Sequence, residues 1–392
     1  MPITIIIGAI GVYLSIYVIY MALIIAVRLL MVSHPSVGAH PRTRFVVLIP
    51  AHNEELLLPK LLDAIRCQDY PEHMYSAIVI ADNCSDNTVG CAQDAGVIVL
   101  ERRDERSKGK GYAIKWALEM GNIDQYDAVL IVDADCIMNP ITLKCLDAVM
   151  EGKQVIQCHI SVSNPDDSWF TRLLDVSRTI ENEIYFPTKQ RLGLSTHLVG
   201  TGMCFTTKTL MKYGWDAFTV GEDWEYYVKL LLQGETIGFA YDAKVYQIES
   251  SSLKQATSQR MRWSSGRFAI AWKYGFRLLA RGIVERNIVK CDAAVPLIFP
   301  NPSLGINITL IGLVTVLALP ATHKIFFTVW FLSLGLIQLG IFIIGIFYTQ
   351  NKLSKFLSIF IAPAFLIWKM VIDFLSVLGV GRKKWVRTER KL

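Results

Sequence analysis

Two aspartates, Asp133 and Asp135, have the type and spacing that could hold a cation. They follow the apolar run Ala-Val-Leu-Ile-Val at 128–132, which is typical of a buried parallel strand. Side chains two residues apart on an extended chain point the same way, so both carboxylates can face one small volume. Such a pair suits Mg²⁺ or Mn²⁺, usually shared with substrate phosphates. The alternative is that Asp133 ends the strand and Asp135 caps the turn towards Asn139.

Two further polar clusters follow apolar runs earlier in the chain. The first occupies residues 50–54 and includes Ala51 and Glu54, and the second runs from Asp82 to Asp86. The carboxyl ends of parallel strands meet at one sheet edge, so we expect these clusters to converge with the aspartate pair and form a nucleotide site. Asp86 could instead do no more than cap the next helix.

A basic, glycine-bearing loop at residues 106–112 leads into a predicted helix and contains Lys108 and Lys110. Free backbone N–H groups at a helix start, next to lysine ammonium groups, suit a diphosphate. A solvated basic turn is the alternative.

Small and acidic residues follow further along the chain. The turn at 200–202 is built from residues small enough for backbone to approach a ligand closely. Glu222, Asp223 and Glu225 lie in the first turn of a predicted apolar helix. Interaction with the helix dipole would account for Glu222 and Glu225, which leaves Asp223 as the candidate for chemistry.

A basic and aromatic stretch begins with Gln259, Arg262 and Trp263. Between residues 259 and 290 it holds eight Lys or Arg residues and one acid, Glu285, interleaved with aromatic side chains. This composition could indicate nucleic-acid binding, but a helix at a membrane surface fits better directly before apolar segments. We therefore expect membrane lipid, and not nucleic acid, as the partner of this stretch.

The elements that must position these residues alternate from residue 44 to about 163. The predicted strands are 45–49, 77–81, 97–100, 128–132 and 154–160, and the predicted helices are 54–67, 87–95, 111–120 and 140–150. This alternation predicts an α/β domain with a mainly parallel sheet and right-handed crossovers.

The composition indicates membrane segments, because 52% of the 392 residues are hydrophobic and only 19% are charged. Residues 3–27 are free of charge, which is long enough for a membrane anchor and too long for a signal-peptide core. Basic residues follow this segment, beginning with Arg28, so we expect the next domain to be cytoplasmic. The eight cysteines form no CxxC pair, which argues against a zinc site or a disulfide framework.

Two charge-free segments, 303–320 and 325–348, predict further membrane spans. The last apolar segment, 356–379, carries Lys369 and Asp373 and precedes a tail rich in Lys and Arg. We therefore expect it to lie along the cytoplasmic interface with the tail inside. The predicted organisation in an inner (plasma) membrane is an anchor at 1–32, a cytoplasmic catalytic domain at 42–253, basic interfacial helices at 254–292, two spans at 303–348, an interfacial helix at 356–380 and a tail at 381–392.

In this order, the motifs resemble those of the membrane-anchored family 2 glycosyltransferases, which include cellulose, chitin and hyaluronan synthases and exopolysaccharide enzymes. The matching pieces are residues 50–54, Asp82 with Asp86, Lys110, Asp133 with Asp135, Gly200-Thr201-Gly202, Glu222 with Asp223, and the Gln-x-x-Arg-Trp motif at 259–263. The resemblance covers nearly the whole chain and implies a GT-A type nucleotide-diphospho-sugar transferase domain.

The resemblance also implies a role for each motif. Asp82 would hold the nucleobase of the donor, and Asp133 would contact its ribose and phosphate. Asp135 would bind a Mg²⁺ or Mn²⁺ ion that bridges the diphosphate. Asp223 would be the general base of an inverting transfer from a UDP-sugar. The other implied nucleotide-sugar contacts are Ala51, Glu54, Lys110, Gln259, Arg262 and Trp263, and the implied acceptor contacts are Gly200, Thr201, Gly202, Glu222 and Trp263.

The basic tail is partly similar to the Phe-x-Val-Thr-x-Lys gating segment of cellulose synthases. Thr388 and Arg390 stand at the Thr and Lys positions, while Arg387 replaces the valine. The similarity implies that the tail folds over bound nucleotide and neutralises the diphosphate. A solvated tail attracted to anionic lipid is the alternative.

The predicted function is transfer of a sugar from a UDP-sugar to a hydroxyl of a lipid-linked or growing saccharide. Single transfer and processive synthesis both stay open, because the acceptor turn departs from the Cys-Gly-Ser form of the polymerising members and the membrane region is small for a polymer channel. A non-catalytic membrane scaffold is the alternative of a different class, although the presence of Asp135, Asp223 and Arg262 argues against it. The sugar, the linkage and the oligomeric state, including a homo-oligomer, are left open.

Overall fold

The computed structural model describes residues 2–31, 41–299, 301–318 and 323–381 of the chain. Its sheet has eight strands in the described residues. In chain order they are β1 Phe45–Ala51, β2 Tyr75–Asp82, β3 Ile98–Arg102, β4 Ala128–Ile131, β5 Cys136–Met138, β6 Val155–Val162, β7 Met203–Thr206 and β8 Ile237–Gln247.

The helices surround the sheet and then continue into the apolar C-terminal half. In chain order they are α1 Pro2–Leu29, α2 Leu58–Arg66, α3 Thr88–Asp94, α4 Lys110–Met120, α5 Thr142–Met150, α6 Trp169–Thr179, α7 Phe186–Arg191, α8 Thr207–Tyr213, α9 Glu222–Leu232, α10 Leu253–Val284, α11 Ile288–Ile298, α12 Pro302–Ala318, α13 Lys324–Tyr348, α14 Lys352–Ser358 and α15 Ala362–Val377. A π-helical turn, Ile180–Tyr185, joins α6 to α7, and a 3₁₀ turn, Ile359–Ile361, joins α14 to α15.

The strand order is β3-β2-β1-β4-β7-β6-β8-β5. The first four strands are parallel, β7 runs antiparallel to both neighbours, and β8 is parallel to β6. Both faces of the sheet are covered, because alternate residues of β1 enter separate cores: Val46 and Leu48 on one face, Val47 and Ile49 on the other. The carboxyl ends of β1, β2 and β4 therefore lie side by side at one edge.

The predicted α/β fold with a mainly parallel sheet is confirmed, and the predicted strands correspond to β1–β4 and β6. Three strands were not predicted from the sequence. β5 and β7 have only three and four residues, too few to show a period. In β8 the pairing with β6 is interrupted between Ala240 and Lys244, so its apolar pattern is broken as well.

Three described helices are long and apolar enough to cross a membrane: Ile3–Leu29, Lys324–Tyr348 and Lys352–Val377. A pair bent by 62°, Ile288–Ile298 with Pro302–Ala318, would be a fourth candidate if the pair forms one span. The predicted span at 303–320 corresponds to α12, which has 17 residues and qualifies only together with α11. The surface position predicted for 356–380 stays a prediction, since the helix there is also long enough to span.

The apolar helices α1, α12 and α13 pack together around Leu14, Val18 and Phe331. The C-terminal end of α1 reaches the sheet domain, where Arg28 Nε donates to the carbonyl of Glu183 (2.6 Å). The C-terminal end of α13 does the same, since Gly345 packs against Ile180. Both helices thus run towards the sheet domain.

Candidate functional site

A cavity of about 1360 Å³ lies between the carboxyl edge of the sheet, α10 and the apolar helices. It brings together residues that the sequence places far apart, as expected for the strand ends. The predicted site residues that line it are Ala51, Glu54, Asp82, Lys110, Asp133, Asp135, Gly200, Glu222, Asp223, Gln259, Arg262 and Trp263.

Two asparagines shape the loops that follow β1 and β2. Asn53 and Asn83 have left-handed backbone conformations, with φ of 58° and 52°, which Asn tolerates better than most residues. Asn53 Oδ1 accepts a hydrogen bond from the backbone N–H of Ser85 (2.7 Å) and so ties the first loop to the second. The backbone N–H of Glu54 donates to Thr88 Oγ1 (2.8 Å). These bonds fix the first polar cluster at the cavity wall.

Asp82 ends β2 with a nearly buried carboxylate. Its Oδ1 accepts hydrogen bonds from Arg102 (2.7 Å), at the end of β3, and from Asn83 Nδ2 (2.9 Å). Burial raises the pKa of Asp82, and the bond and charge of Arg102 oppose that rise. Arg102 was not among the residues singled out in the sequence. Its signal would have been its place at the end of the strand beside β2.

Lys110 connects the aspartate pair that follows β4 to the turn at residues 200–202. Its Nζ donates to Asp133 Oδ1 and to the carbonyl of Gly200 (2.6 Å). Burial alone would lower the pKa of Lys110, but the carboxylates of Asp133 and Glu222 outweigh burial and raise it. The ammonium group therefore keeps its charge in the cavity wall, where it could meet a diphosphate.

Thr201 and Gly202 are placed differently from Gly200, since neither is found among the described residues that line the cavity. Thr201 is 1% exposed, and its hydroxyl accepts a hydrogen bond from the backbone N–H of Asp133 (3.0 Å). Gly202 has φ of 63°, and a Cβ there would lie 2.8 Å from the side chain of Ile160. Both residues therefore support the turn from the side that faces the protein core. The acceptor contacts predicted for them stay predictions.

Glu222 and Asp223 begin α9 and face the cavity. Asp223 Oδ1 accepts a hydrogen bond from the backbone N–H of Trp224 (2.8 Å), and its Oδ2 lies close to Gly200, where a Cβ would be 3.5 Å away. Burial raises the pKa of Asp223 to about 6. Burial and the neighbouring Asp223 charge raise the pKa of Glu222 to about 7. Carboxyl groups that titrate near neutrality are suited to general-base catalysis.

Helix α10 presents Gln259, Arg262 and Trp263 on one face, because they are three and four residues apart. This face approaches α9 very closely. A Cβ on Gly266 would lie 2.8 Å from the backbone nitrogen of Gly221, the residue before α9. Glycine at both positions therefore sets how near the Gln-x-x-Arg-Trp motif comes to the acidic start of α9.

A cluster of buried ionisable side chains that was not predicted from the sequence also lines the cavity. His197 Nε2 lies 2.9 Å from Glu181 Oε1, and its ring stacks on Trp224 with centroids 4.4 Å apart. The Arg267 guanidinium lies 4.5 Å from the Trp224 ring centroid. Burial lowers the pKa of His197 to about 4, so the ring is neutral near pH 7. Arg178 joins this group because its guanidinium donates to Glu181 (3.0 Å). In the sequence, the signal for this buried pair was the presence of two opposite charges within an otherwise apolar helical pattern.

A metal ion would need ligands beyond the protein side chains at this site. No group of three His, Cys, Asp or Glu residues within the described ranges is arranged to hold one. Asp135 lines the cavity, and Asp133 already accepts the bond from Lys110. One or two carboxylates plus substrate phosphates is the usual donor set for Mg²⁺, so the residues present fit an ion that binds together with a diphosphate.

Thr388 and Arg390 lie outside the described residues. The chain leads towards them along α10, since the Ser265 hydroxyl donates to the carbonyl of Val380 and a Cβ on Gly381 would lie 3.0 Å from the Met261 side chain. The tail therefore begins beside the Gln-x-x-Arg-Trp motif, and its contact with nucleotide stays a prediction.

A family model described as "Glycosyltransferase like family 2" matches residues 41–266, which is more than half of the chain. The chain belongs to this glycosyltransferase family. The resemblance inferred from the motifs is thereby confirmed, and the matched range contains all eight described strands and the Gln-x-x-Arg-Trp motif.

Curated relatives in the family are distant. A probable glycosyltransferase from Bacillus subtilis is 24% identical over 58% of this chain and 56% of its own length. A probable glucomannan 4-beta-mannosyltransferase from Arabidopsis thaliana is 25% identical over 59% of this chain and 44% of its own length. A beta-monoglucosyldiacylglycerol synthase from Trichormus variabilis is 23% identical over 56% of this chain and 48% of its own length. The chain thus spans about half the length of the curated relatives it matches.

Among solved structures, a mannosyltransferase from Pyrobaculum calidifontis in complex with GDP-Man and Mn²⁺ is similar along almost its whole length. The match covers 94% of this chain and 99% of that one, with a TM-score of 0.58 and 17% identity. At this identity the similarity shows the fold alone, and it confirms the GT-A type architecture expected of the family.

Proposed function

We propose that this protein transfers a sugar from a UDP-sugar to a hydroxyl group of a lipid-linked or growing saccharide acceptor at the cytoplasmic face of an inner membrane. The observation that carries the proposal is the meeting of Asp135, Asp223 and Arg262 in one cavity. These residues come from a strand end, a helix start and the face of a third element, and a scaffold protein would have no need to bring them together.

The protein's part in the transfer begins with Asp223, which accepts the proton of the acceptor hydroxyl. The acceptor oxygen then forms a bond to the anomeric carbon as the bond from that carbon to the diphosphate oxygen breaks, and its electron pair leaves on UDP. Attack from the face opposite the leaving group inverts the configuration. The raised pKa of Asp223 supports this role, because a stronger base accepts the proton more readily.

Lys110, Gln259 and Arg262 are the proposed partners of the departing diphosphate, through charge and hydrogen bonding. Asp82, held by Arg102, is the proposed contact of the base, and Asp133 that of the ribose side. Asp135 would hold Mg²⁺ or Mn²⁺, which when bound would neutralise charge on the diphosphate.

Trp263 and Gly200 are proposed to wall the acceptor site, with Glu222 beside them. The Arg260 guanidinium lies 4.8 Å from the centroid of the Trp263 ring and donates to Glu249 (2.6 Å), so the indole lies beside an anchored cation. Relatives named for a glucomannan and for a glycosyl diacylglycerol keep both saccharide and lipid acceptors within the proposal.

A donor screen tests the proposed function. Membranes from cells expressing the full chain, with Mn²⁺ added, would be offered UDP-Glc, UDP-GlcNAc and UDP-Gal, with GDP-Man included because the Pyrobaculum neighbour binds it. We expect release of UDP from one donor at least about tenfold above membranes that lack the protein. Release of GDP alone would mean that the donor is a GDP-sugar and not a UDP-sugar. No nucleotide release from any donor would favour the alternative that the protein is a non-catalytic membrane scaffold.

A further inference from the structure

The cavity does not end at the catalytic carboxylates. It continues from Asp223 between the apolar helices, where α12, α13 and α15 supply its walls. These walls are mostly hydrophobic and include Leu310, Leu313, Leu336, Leu339, Phe365 and Leu366. One continuous volume therefore has a charged end at the sheet and an apolar end among helices that could enter a membrane.

The apolar end has the form of an open groove. Helix α12 packs against both α13 and α15, whereas α13 and α15 barely touch each other in the described part of the chain. The two helices therefore stand apart above a floor made by α12. Leu336 and Leu339 line this groove and are still 60% and 43% exposed, so it opens sideways along α13.

We propose that the acceptor is a lipid whose hydrocarbon tail occupies this groove while its hydroxyl group lies at Asp223. This rests on the proposed function, and it selects the lipid from the two acceptor classes left open there. A tail that moves from the bilayer into a leucine-lined groove keeps apolar surroundings. A saccharide chain in the same place would instead need many hydrogen-bonding partners, since buried hydroxyl groups are costly when unpaired.

The polar groups in the groove fit this assignment. Most of them lie at its catalytic end, including Asn301, Ser303 and Lys369, where a headgroup would sit. Farther along α13, Gln338 is 9% exposed. A single amide among leucines can meet one polar group of a lipid, but it cannot solvate a passing chain of sugars.

Two glycines on α13 provide a matched pair of variants. Gly335 lines the groove, and a Cβ there would make only an ordinary contact, 3.8 Å from Thr309. A Cβ on Gly340 would have nothing within 4 Å, and Gly340 is not found among the described lining residues. Gly335→Leu therefore fills the groove, and Gly340→Leu adds the same side chain on another face. Leu310→Trp on α12 narrows the groove from its floor.

The first test is photo-crosslinking of the full chain in phosphatidylcholine vesicles that contain a diacylglycerol with a diazirine in its acyl chain. We expect labelling of Leu336 and Leu339 to fall at least about fivefold in Gly335→Leu and Leu310→Trp and to stay within twofold in Gly340→Leu. Ile337, exposed on α13 and absent from the described lining, reports bilayer lipid and should be labelled equally in all variants. Groove labelling that changes no more than Ile337 labelling would overturn the proposal.

The second test separates this inference from the proposed function. With the donor found active in the screen and membranes that supply native acceptors, we expect sugar label in the organic-extractable product to fall at least about tenfold in Gly335→Leu but not in Gly340→Leu. A product that stays in the aqueous phase as a ladder would place a saccharide in the groove and overturn the lipid assignment. If no donor is active, the proposed function fails, and the crosslinking result still decides what occupies the groove.

Discussion

Asp82 and Asp133 each have a cation within hydrogen-bonding distance, Arg102 and Lys110, whereas Glu222 and Asp223 lie next to each other in a buried wall. This difference separates the carboxylates by chemistry. The first two are bonded to these cations and are placed to position ligand groups, while the pKa values of the second two are raised towards neutrality. The capacity to accept a proton at neutral pH therefore lies at the start of α9.

The raised pKa of Asp223 predicts how transfer depends on pH. Below its pKa the carboxyl group is protonated and cannot accept the acceptor proton, so kcat/KM should fall on acidification with a midpoint near pH 6. An aspartate with an ordinary pKa would hold its activity to about pH 4. The measurement is kcat/KM from pH 5 to pH 9, and a profile that stays flat down to pH 5 would contradict the assignment.

Asp135→Ala should abolish the metal-dependent part of donor binding. Asp133 is already bonded to Lys110, and a protein ordinarily supplies only one or two carboxylates to such an ion, so loss of the Asp135 carboxylate should remove the protein's main hold on the metal. Calorimetry with UDP, with and without Mn²⁺, measures this. UDP binding without metal serves as the control and should change little. An unaltered gain in affinity on adding Mn²⁺ would rule out Asp135 as the ligand.

The type and position of most proposed site residues could be predicted from the sequence, because strand ends and helix starts leave local signals. Arg102, Glu181, His197 and Arg267 were not predicted, because their importance depends mainly on packing between distant segments. His197, for example, is a single histidine in an apolar stretch until its ring meets Trp224. Thr201, predicted from the sequence as an acceptor contact, has a structural part that the sequence did not show: its hydroxyl supports the backbone of Asp133.

Among the elements, α9 and α10 depend on each other for the geometry of the site. Gly266→Ala should lower kcat by about 10²-fold, because a Cβ 2.8 Å from the backbone of Gly221 forces the helices apart and a displacement near 1 Å can cost that much. Gly275→Ala on the same helix is the matched control, since a Cβ there would be 3.6 Å from its nearest neighbour. Equal activity in the two variants would show that the close approach does not position Arg262.

Elements with a long, regular pattern were predictable, and short or interrupted ones were not. The alternation up to β6 follows from apolar runs separated by amphipathic helices. The reversal at β7 could not be predicted, since its four residues acquire their direction from pairing with β4 and β6. The π-helical turn at Ile180–Tyr185 likewise leaves no period in the sequence.

At the scale of the whole molecule, the last apolar segment contacts α6 near its start and α10 near its end. At the start, Lys355 Nζ lies 2.5 Å from Asp175 on α6, and at the end the carbonyl of Val380 accepts from Ser265 on α10. Both ends of this segment are therefore held against other helices of the protein, and the interfacial position of 356–380 stays a prediction. Lys369, expected to be costly in hydrocarbon, is bonded to Asp373 and to Ser264 (2.9 Å).

The arrangement predicts the location and importance of the tail. A tag placed after residue 392 should be accessible only from the side that holds the catalytic domain. Truncation after Gly381 should preserve expression and membrane insertion but lower turnover at least about tenfold, because the tail starts beside the motif that we propose binds the diphosphate. A truncated protein with full turnover, or a tag reached only from outside the cell, would defeat this part of the account.

The most direct test of the central claim, that Asp223 is the general base, is the paired comparison of Asp223→Asn with Asp216→Asn. The amide is nearly isosteric with the carboxylate but cannot accept the proton, so Asp223→Asn should lower transfer by 10²–10⁴-fold while UDP affinity stays within a few-fold of normal. Asp216, an exposed aspartate paired with Lys229 and outside the described cavity lining, controls for loss of a nearby charge and should leave transfer unchanged. Transfer by Asp223→Asn above about a tenth of normal would contradict the account.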